Sequence, residues 1–349
     1  MIPVFDGHND FLQRMVAAEA DRDNLWLNGD GTGHVDLPRL KAGGVFGGFF
    51  AIWTPSPPSA EDAAHSQRAE NPPYAAPLPE PVPPAEALPH ALAQVGQLLA
   101  MARTGTLRVC RNVAEIEAAK AAGEIAAIMH IEGAEPIADL DMLHVWHAMG
   151  LRSLGPVWSR PTRYGHGVPF AFPSSPDTGA GLTASGRELV RECNKLRIML
   201  DLSHLNEAGF NDISALSDAP LVATHSGAHA ISASSRNLTD RQLRAIADSR
   251  GVVGLNFATG FLRPDGKRLP FEGFDIFLRH LDHLLSILGE DGVALGSDFD
   301  GALMATDMRD SSSLPDLLGA MRAHGYDVAL IEKIAWRNWL DALRRTWGA

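Results

Sequence analysis

The chain has 349 residues, 45% of them hydrophobic, and a formal net charge of −12. That is ample for a large core, and an acidic balance without a basic stripe argues against nucleic acid as a partner. Two cysteines, Cys110 and Cys193, without C-x-x-C spacing, exclude a disulfide framework or a cysteine zinc knuckle.

No apolar run approaches the roughly 18 residues that a membrane span needs. No basic segment followed by an apolar one precedes the first motif at residue 6, so a cytoplasmic protein is expected. Apolar runs of strand length alternate with segments of helical period. Strands are predicted at 3–6, 47–53, 126–131, 153–158, 198–202, 221–224, 252–256 and 293–296. Helices are predicted between them, at 140–149, 187–196, 240–248 and 274–288. Strands alternating with helices point to βαβ units and a parallel sheet, and eight of them favour a (β/α)8 TIM barrel forming one domain over 1–349. Two capping boxes are expected, Thr239 with Gln242 and Ser313 with Asp316. Extra C-terminal helices, at 315–323 and 330–345, are expected to close the bottom and side of the barrel.

Residues 55–90 break the rhythm, with 11 of the 23 prolines and no periodicity. They predict a long irregular excursion after strand 2. It is either a surface insertion without consequence, or a lid or a contact in a homodimer.

Five motifs place polar side chains at the ends of predicted strands, where a barrel gathers its chemistry. In DGHND, His8 and Asp10 are two residues apart and point to one side of the strand. Such a pair can chelate a cation such as Zn²⁺. Glu132, in HIEG, ends an apolar strand where an uncompensated carboxylate would be costly. Its two oxygens can bridge two cations roughly 3.5–4 Å apart. Glu135 competes for that role in the same loop. His204 (DLSH) and His225 (ATHS) end adjacent strands and can hold a second cation, each needing an acceptor for its other ring nitrogen. Asp298 (GSDFDG) faces strand 1 across a closed barrel and can take and return the proton of an attacking water. Asp300 better suits a turn cap. Arg236, in SSRNLTD, is either an exposed loop cation or a fork for a substrate carboxylate.

Taken in order, DGHND, IEG, DLSH, THS, SxRN and GSDFDG, with RNWLDAL in the last helix, resemble the membrane (renal) dipeptidase family. These are the M19 metallopeptidases of the amidohydrolase superfamily. The resemblance implies a barrel with two Zn²⁺ ions, His8 and Asp10 on one, His204 and His225 on the other, and Glu132 bridging both. It makes Asp298 the catalytic acid/base and puts Arg236 on the C-terminal carboxylate of a dipeptide. It further implies a soluble, bacterial-type enzyme for small dipeptides that accepts a D-residue at the C-terminal position. The alternative is an amidohydrolase acting on N-acyl amino acids or lactams with the same metal site. One motif departs from the family. Mammalian members carry a substrate-contacting histidine after the fourth strand, where this chain reads SLGPVWSRP with Trp158 near the aligned place. His166, further along, is the candidate to take over that contact.

Overall fold

Apolar runs without polar alternation suit strands covered on both faces. In chain order the strands are β1 (Val4–Asn9), β2 (Val45–Trp53), β3 (Tyr74–Ala75), β4 (Leu107–Val109), β5 (Ile125–Glu132) and β6 (Leu151–Gly155). They continue with β7 (Ala171–Phe172), β8 (Met199–Leu200), β9 (Val222–Ser226), β10 (Val252–Leu255) and β11 (Val293–Leu295). This computed structural model describes residues 1–18, 21–57 and 67–348.

The runs VFGGFFAIW and IAAIMHIE become β2 and β5, buried almost throughout and paired in parallel from Gly47–Ala126 to Trp53–Glu132. One sheet runs β1-β2-β5-β6-β8 with β4 added beside β5, and a second runs β11-β10-β9. All of these pairings are parallel. The two sheets touch edge to edge at single parallel bridges, Asp201 to Val222 and Asn9 to Phe299. Each of the eight predicted strands is present. The fourth ends at Gly155 rather than 158 because Pro156 follows, and β4 was not foreseen because three residues carry no period.

The helices Leu140–Met149 and Asp240–Asp248 match their predicted spans, and Thr239 and Gln242 form the expected reciprocal cap. The helix Ala184–Leu196 begins earlier than expected because Thr183 accepts a hydrogen bond from Gly186 N. The second predicted capping box does not form. A short turn, Ser311–Ser313, leaves Ser313 already helical, and its hydroxyl caps nothing.

The C-terminal segment is not one helix. Val328–Glu332 passes through a π turn, Lys333–Arg337, into Asn338–Trp347. An extra residue in a turn rotates the face that follows. Here Asn338 Nδ2 donates to the carbonyls of Glu290 and Val293, and the fully buried Trp339 donates from Nε1 to Leu295 O at 2.9 Å. Room for this indole comes from glycines. A Cβ on Gly7 would lie 2.5 Å from the Trp339 ring, and one on Gly254 would lie 2.9 Å away.

The proline-rich excursion is shorter than expected. Residues 84–90 belong to a helix, Pro84–Arg103, which Pro84 opens and which tolerates Pro89 near its start. Residues 58–66 lie outside the described part. Of the rest, β3 pairs antiparallel with β7 in the loop after β6, and Ala69 O accepts from Arg268 N. These bonds hold the excursion across the C-terminal ends of the strands.

Candidate active site

Each strand-end motif delivers its polar residue to one place. His8 lies in β1 and is fully buried, Asp10 follows it, Glu132 ends β5 and His225 lies in β9. His204 follows β8 and Asp298 follows β11. Both have left-handed backbones, φ 66° and 62°, a conformation that costs a non-glycine residue energy and is concentrated at functional sites. Serine and aspartate side chains fix these ends. Ser297 N and Oγ donate to the two oxygens of Asp6, its Oγ also lies 3.0 Å from His8 O, and Asp298 N donates to His8 O.

The two oxygens of Glu132 face different partners. Oε1 lies 3.0 Å from His204 Nε2 and 3.2 Å from His225 Nε2, whereas Oε2 lies 3.7 Å from His8 Nε2. Asp10 Oδ2 is 3.4 Å from His8 Nε2. Ligand atoms of His8, Asp10 and Glu132 fall within 4.8 Å of one another, as do those of Glu132, His204 and His225, and those of His8, His225 and Asp298. Glu135 takes another part. Arg160, fully buried, donates to its Oε1 from Nε and Nη2, to Ser56 Oγ from Nη1 and to Thr54 O from Nη2. This pair ties the loops after β2, β5 and β6 together at the mouth of the site.

Burial pushes Asp10 up to about 7, with the Asp300 charge adding to it. Burial also carries Glu132 well above the carboxylate range, with Asp10 and Asp298 adding to it, and it raises Asp298, with Asp10 adding to it. Burial lowers His8, and takes His204 and His225 well below the usual imidazole range. Carboxylates so crowded and imidazoles so reluctant to be protonated are the electrostatic complement of a divalent cation, which would reverse the carboxylate shifts. Both ring nitrogens of His8 are buried without a hydrogen-bond partner. Imidazole nitrogen with carboxylate oxygen suits a borderline cation such as Zn²⁺, so the residues present fit the metal.

Arg236 is not an exposed loop cation. It is 3% exposed, with Nη1 donating to Ser226 Oγ and Nη2 to His225 O, both at 2.9 Å, while Nε has no partner. Its guanidinium lies 5.8 Å from the centre of the Phe261 ring. A cavity of about 450 Å³ opens over the cluster, lined by Asp10, Glu132, His204 and Asp298 on one side and by Trp158 and Phe261 among others. Tyr74, Pro77 and Pro79 of the excursion also line it. Neither Arg236 nor His166 is among the lining residues. His166 is half-buried and its carbonyl accepts from Asn206 N. Trp158 stands nearer to the site, 5.8 Å from the His204 ring centre to centre. Asp300 also lines the cavity, but its Oδ1 accepts from His34 N at 2.6 Å, so it braces the loop before the helix Leu37–Ala42 rather than its own turn.

The sequence alone does not name the outer partners of these histidines. They are Ser159, whose Oγ is 2.8 Å from His204 Nδ1, and Thr224, whose Oγ1 is 2.8 Å from His225 Nδ1. Asn256 Nδ2 donates to Asp298 Oδ2 at 2.9 Å. Their signal was a polar residue inside or just after an apolar strand, which alone does not say which neighbour it faces.

Parallel strands that converge buried imidazoles and carboxylates at the foot of one cavity define a metal-dependent hydrolase. The chain belongs to the membrane dipeptidase family, peptidase family M19, whose model matches residues 1–347. It is thus a metallo-dipeptidase, a hydrolase of peptide bonds. It is 59% identical to a metallopeptidase from Rhodobacter sphaeroides solved with a phosphinate mimic of the dipeptide L-Ala-D-Ala. That similarity covers 99% of both chains at a TM-score of 0.97. It is 46% identical to an uncharacterised protein of the pqqA 5′ region in Klebsiella pneumoniae over 265 residues, 76% of this chain and 97% of that protein. A dipeptidase from Claviceps purpurea is 27% identical over 346 residues, 97% of this chain and 76% of that one. Among the described residues, no helix is long and apolar enough to cross a membrane.

Proposed function

We propose that the chain is one (β/α)8 barrel domain that binds two Zn²⁺ ions and hydrolyses dipeptides with a free C-terminal carboxylate, L-Xaa-D-Xaa among them. The observation that carries this reading is the division of Glu132, one oxygen toward His8 and the other toward His204 and His225. The single bridges at both edges of the two sheets support closure of the barrel. The L-Ala-D-Ala mimic bound by the Rhodobacter sphaeroides relative supports the substrate class.

His8, Asp10 and Glu132 would hold one ion, and Glu132, His204 and His225 the other. When bound, the ions supply Lewis acidity toward the peptide carbonyl and a more acidic water. Asp298 accepts the proton of the attacking water and returns it to the leaving amine. Asn256, donating to Asp298 Oδ2, keeps that carboxylate oriented. The aromatic walls reduce access of bulk water, and a cavity of about 450 Å³ favours a substrate of dipeptide size. Arg236, buried beside the cluster with Nε unpartnered, is the cation assigned to the substrate carboxylate.

Arg236→Ala tests the carboxylate contact. Removing one member of a desolvated charge pair costs on the order of 2–5 kcal/mol. kcat/KM for L-Ala-D-Ala is therefore expected to fall roughly 30-fold or more, each 1.4 kcal/mol being tenfold. Activity on the C-terminal amide of the same dipeptide, poor from the outset, is expected to stay nearly unchanged. Equal losses on both substrates would mean that Arg236 serves instead to hold His225 O and Ser226.

A further inference from the structure

His204 and His225 each have a hydroxyl on Nδ1, but the two hydroxyls are not equivalent. Thr224 Oγ1 donates its one proton to Asp201 Oδ2 at 2.6 Å. Asp201 is 1% exposed, and its Oδ1 already accepts from Ser203 N at 3.0 Å and Thr224 N at 2.8 Å. The carboxylate is thus an acceptor for three donors. With its proton committed, Thr224 Oγ1 can only accept at its 2.8 Å contact with His225 Nδ1. His225 Nδ1 must then carry hydrogen, and Nε2 must present its lone pair to Glu132 and His204. Among the described residues, the hydroxyl of Ser159 beside His204 has no such second acceptor and fits either tautomer. Among the described residues neither nitrogen of His8 makes a hydrogen bond, and its ring stacks on that of His225 at 3.8 Å. The backbone of His225 is clamped as well, its N donating to Ser203 Oγ and its O accepting from Arg236.

We infer that Asp201 and Thr224 are positioning residues that lock His225 in its Nδ1–H tautomer, so that the Glu132/His204/His225 side of the centre binds its cation first and more tightly than the His8/Asp10 side. Neither residue lines the cavity or belongs to the ligand groups. A ligand imidazole already in the right tautomer and orientation spends no binding free energy on reorganisation, and loss of such an outer partner typically weakens metal binding 10–100-fold. The inference rests on the two-cation reading, and its test separates the two.

Histidine-labelled ¹⁵N apoprotein of the full chain reads the tautomer directly, with the His225 signals assigned from His225→Gln. Wild type is expected to show hydrogen on Nδ1 and a bare Nε2. Thr224→Val is expected to show a mixture and Thr224→Ser the wild-type pattern. In Asp201→Asn the oxygen can keep the two backbone donors while Nδ2 donates to Thr224 Oγ1. The hydroxyl then donates to His225 Nδ1, and the opposite tautomer is expected. Zinc titrated against a competing chelator is expected to bind wild type in two steps. Thr224→Val and Asp201→Asn should weaken the tighter step 10–100-fold and leave the weaker one in place, with Thr224→Ser restoring it. An unchanged tautomer in both variants, equal weakening of the two steps, or weakening confined to the looser step would overturn the inference. A single zinc step in wild type with the expected tautomers would overturn the two-cation reading and the loading order while keeping the relay. If Thr224→Val does not fold, Asp201→Asn and Thr224→Ser decide the matter alone.

Discussion

Asp298→Asn is expected to lower kcat on L-Ala-D-Ala by about 10²–10⁴-fold, the usual weight of general acid–base catalysis, with KM little changed. Asp298 lines the cavity, its carboxylate lies within 4.8 Å of ligand nitrogens of His8 and His225, and burial raises its pKa. A carboxylate at that place can take a proton from water and return it to an amine. The amide keeps an oxygen in the same place and can still accept from Asn256 Nδ2, so fold and metal content should survive. Only the proton shuttle is lost. Asp300→Asn, two residues away and bonded to His34 N, serves as the comparison and should retain most activity. Near-normal kcat in the first variant with an inactive second would move the role to Asp300.

The second large effect is expected at Glu132. Glu132→Gln keeps the shape but loses the charge, and one of the two oxygens becomes an NH₂ group. Whichever way the amide turns, a donor then faces either His8 or the His204/His225 pair. Two cations that share this carboxylate should leave together, and dipeptide hydrolysis should fall below detection. His204→Ala removes a ligand from one group only and should cost mainly one ion. Metal analysis of purified, zinc-reconstituted protein checks both. A Glu132→Gln variant that retains the wild-type metal content would contradict the bridging role.

Much of this site could be read from the sequence because its signal is local. An apolar strand that ends on His, Asp or Glu marks its own terminus, and His8, Glu132, His204, His225 and Asp298 were all located in that way. What decides between neighbours is not local. Glu135 competes with Glu132 in the sequence, and only the bond from Arg160, 25 residues further on, gives it another part. The burial of Arg236 depends on the carbonyl of His225 and the ring of Phe261, which no spacing reveals. His166 is the candidate because the family's histidine after the fourth strand is missing, but Trp158, not His166, lines the cavity. The β3–β7 ribbon has two residues on each side, too few for any period. Ser313 carried the spacing of a cap and lost the role to a preceding turn that a spacing rule does not see.

Two cations, divided by Glu132, are expected to make the centre competent to cleave a dipeptide. Zinc titrated into the metal-free full-length enzyme, with L-Ala-D-Ala hydrolysis and bound metal followed together, tests it most directly. The expected result is an inactive apoprotein whose activity rises to a plateau at two equivalents per chain. Full activity at one equivalent, or activity that persists after complete metal removal, would contradict it.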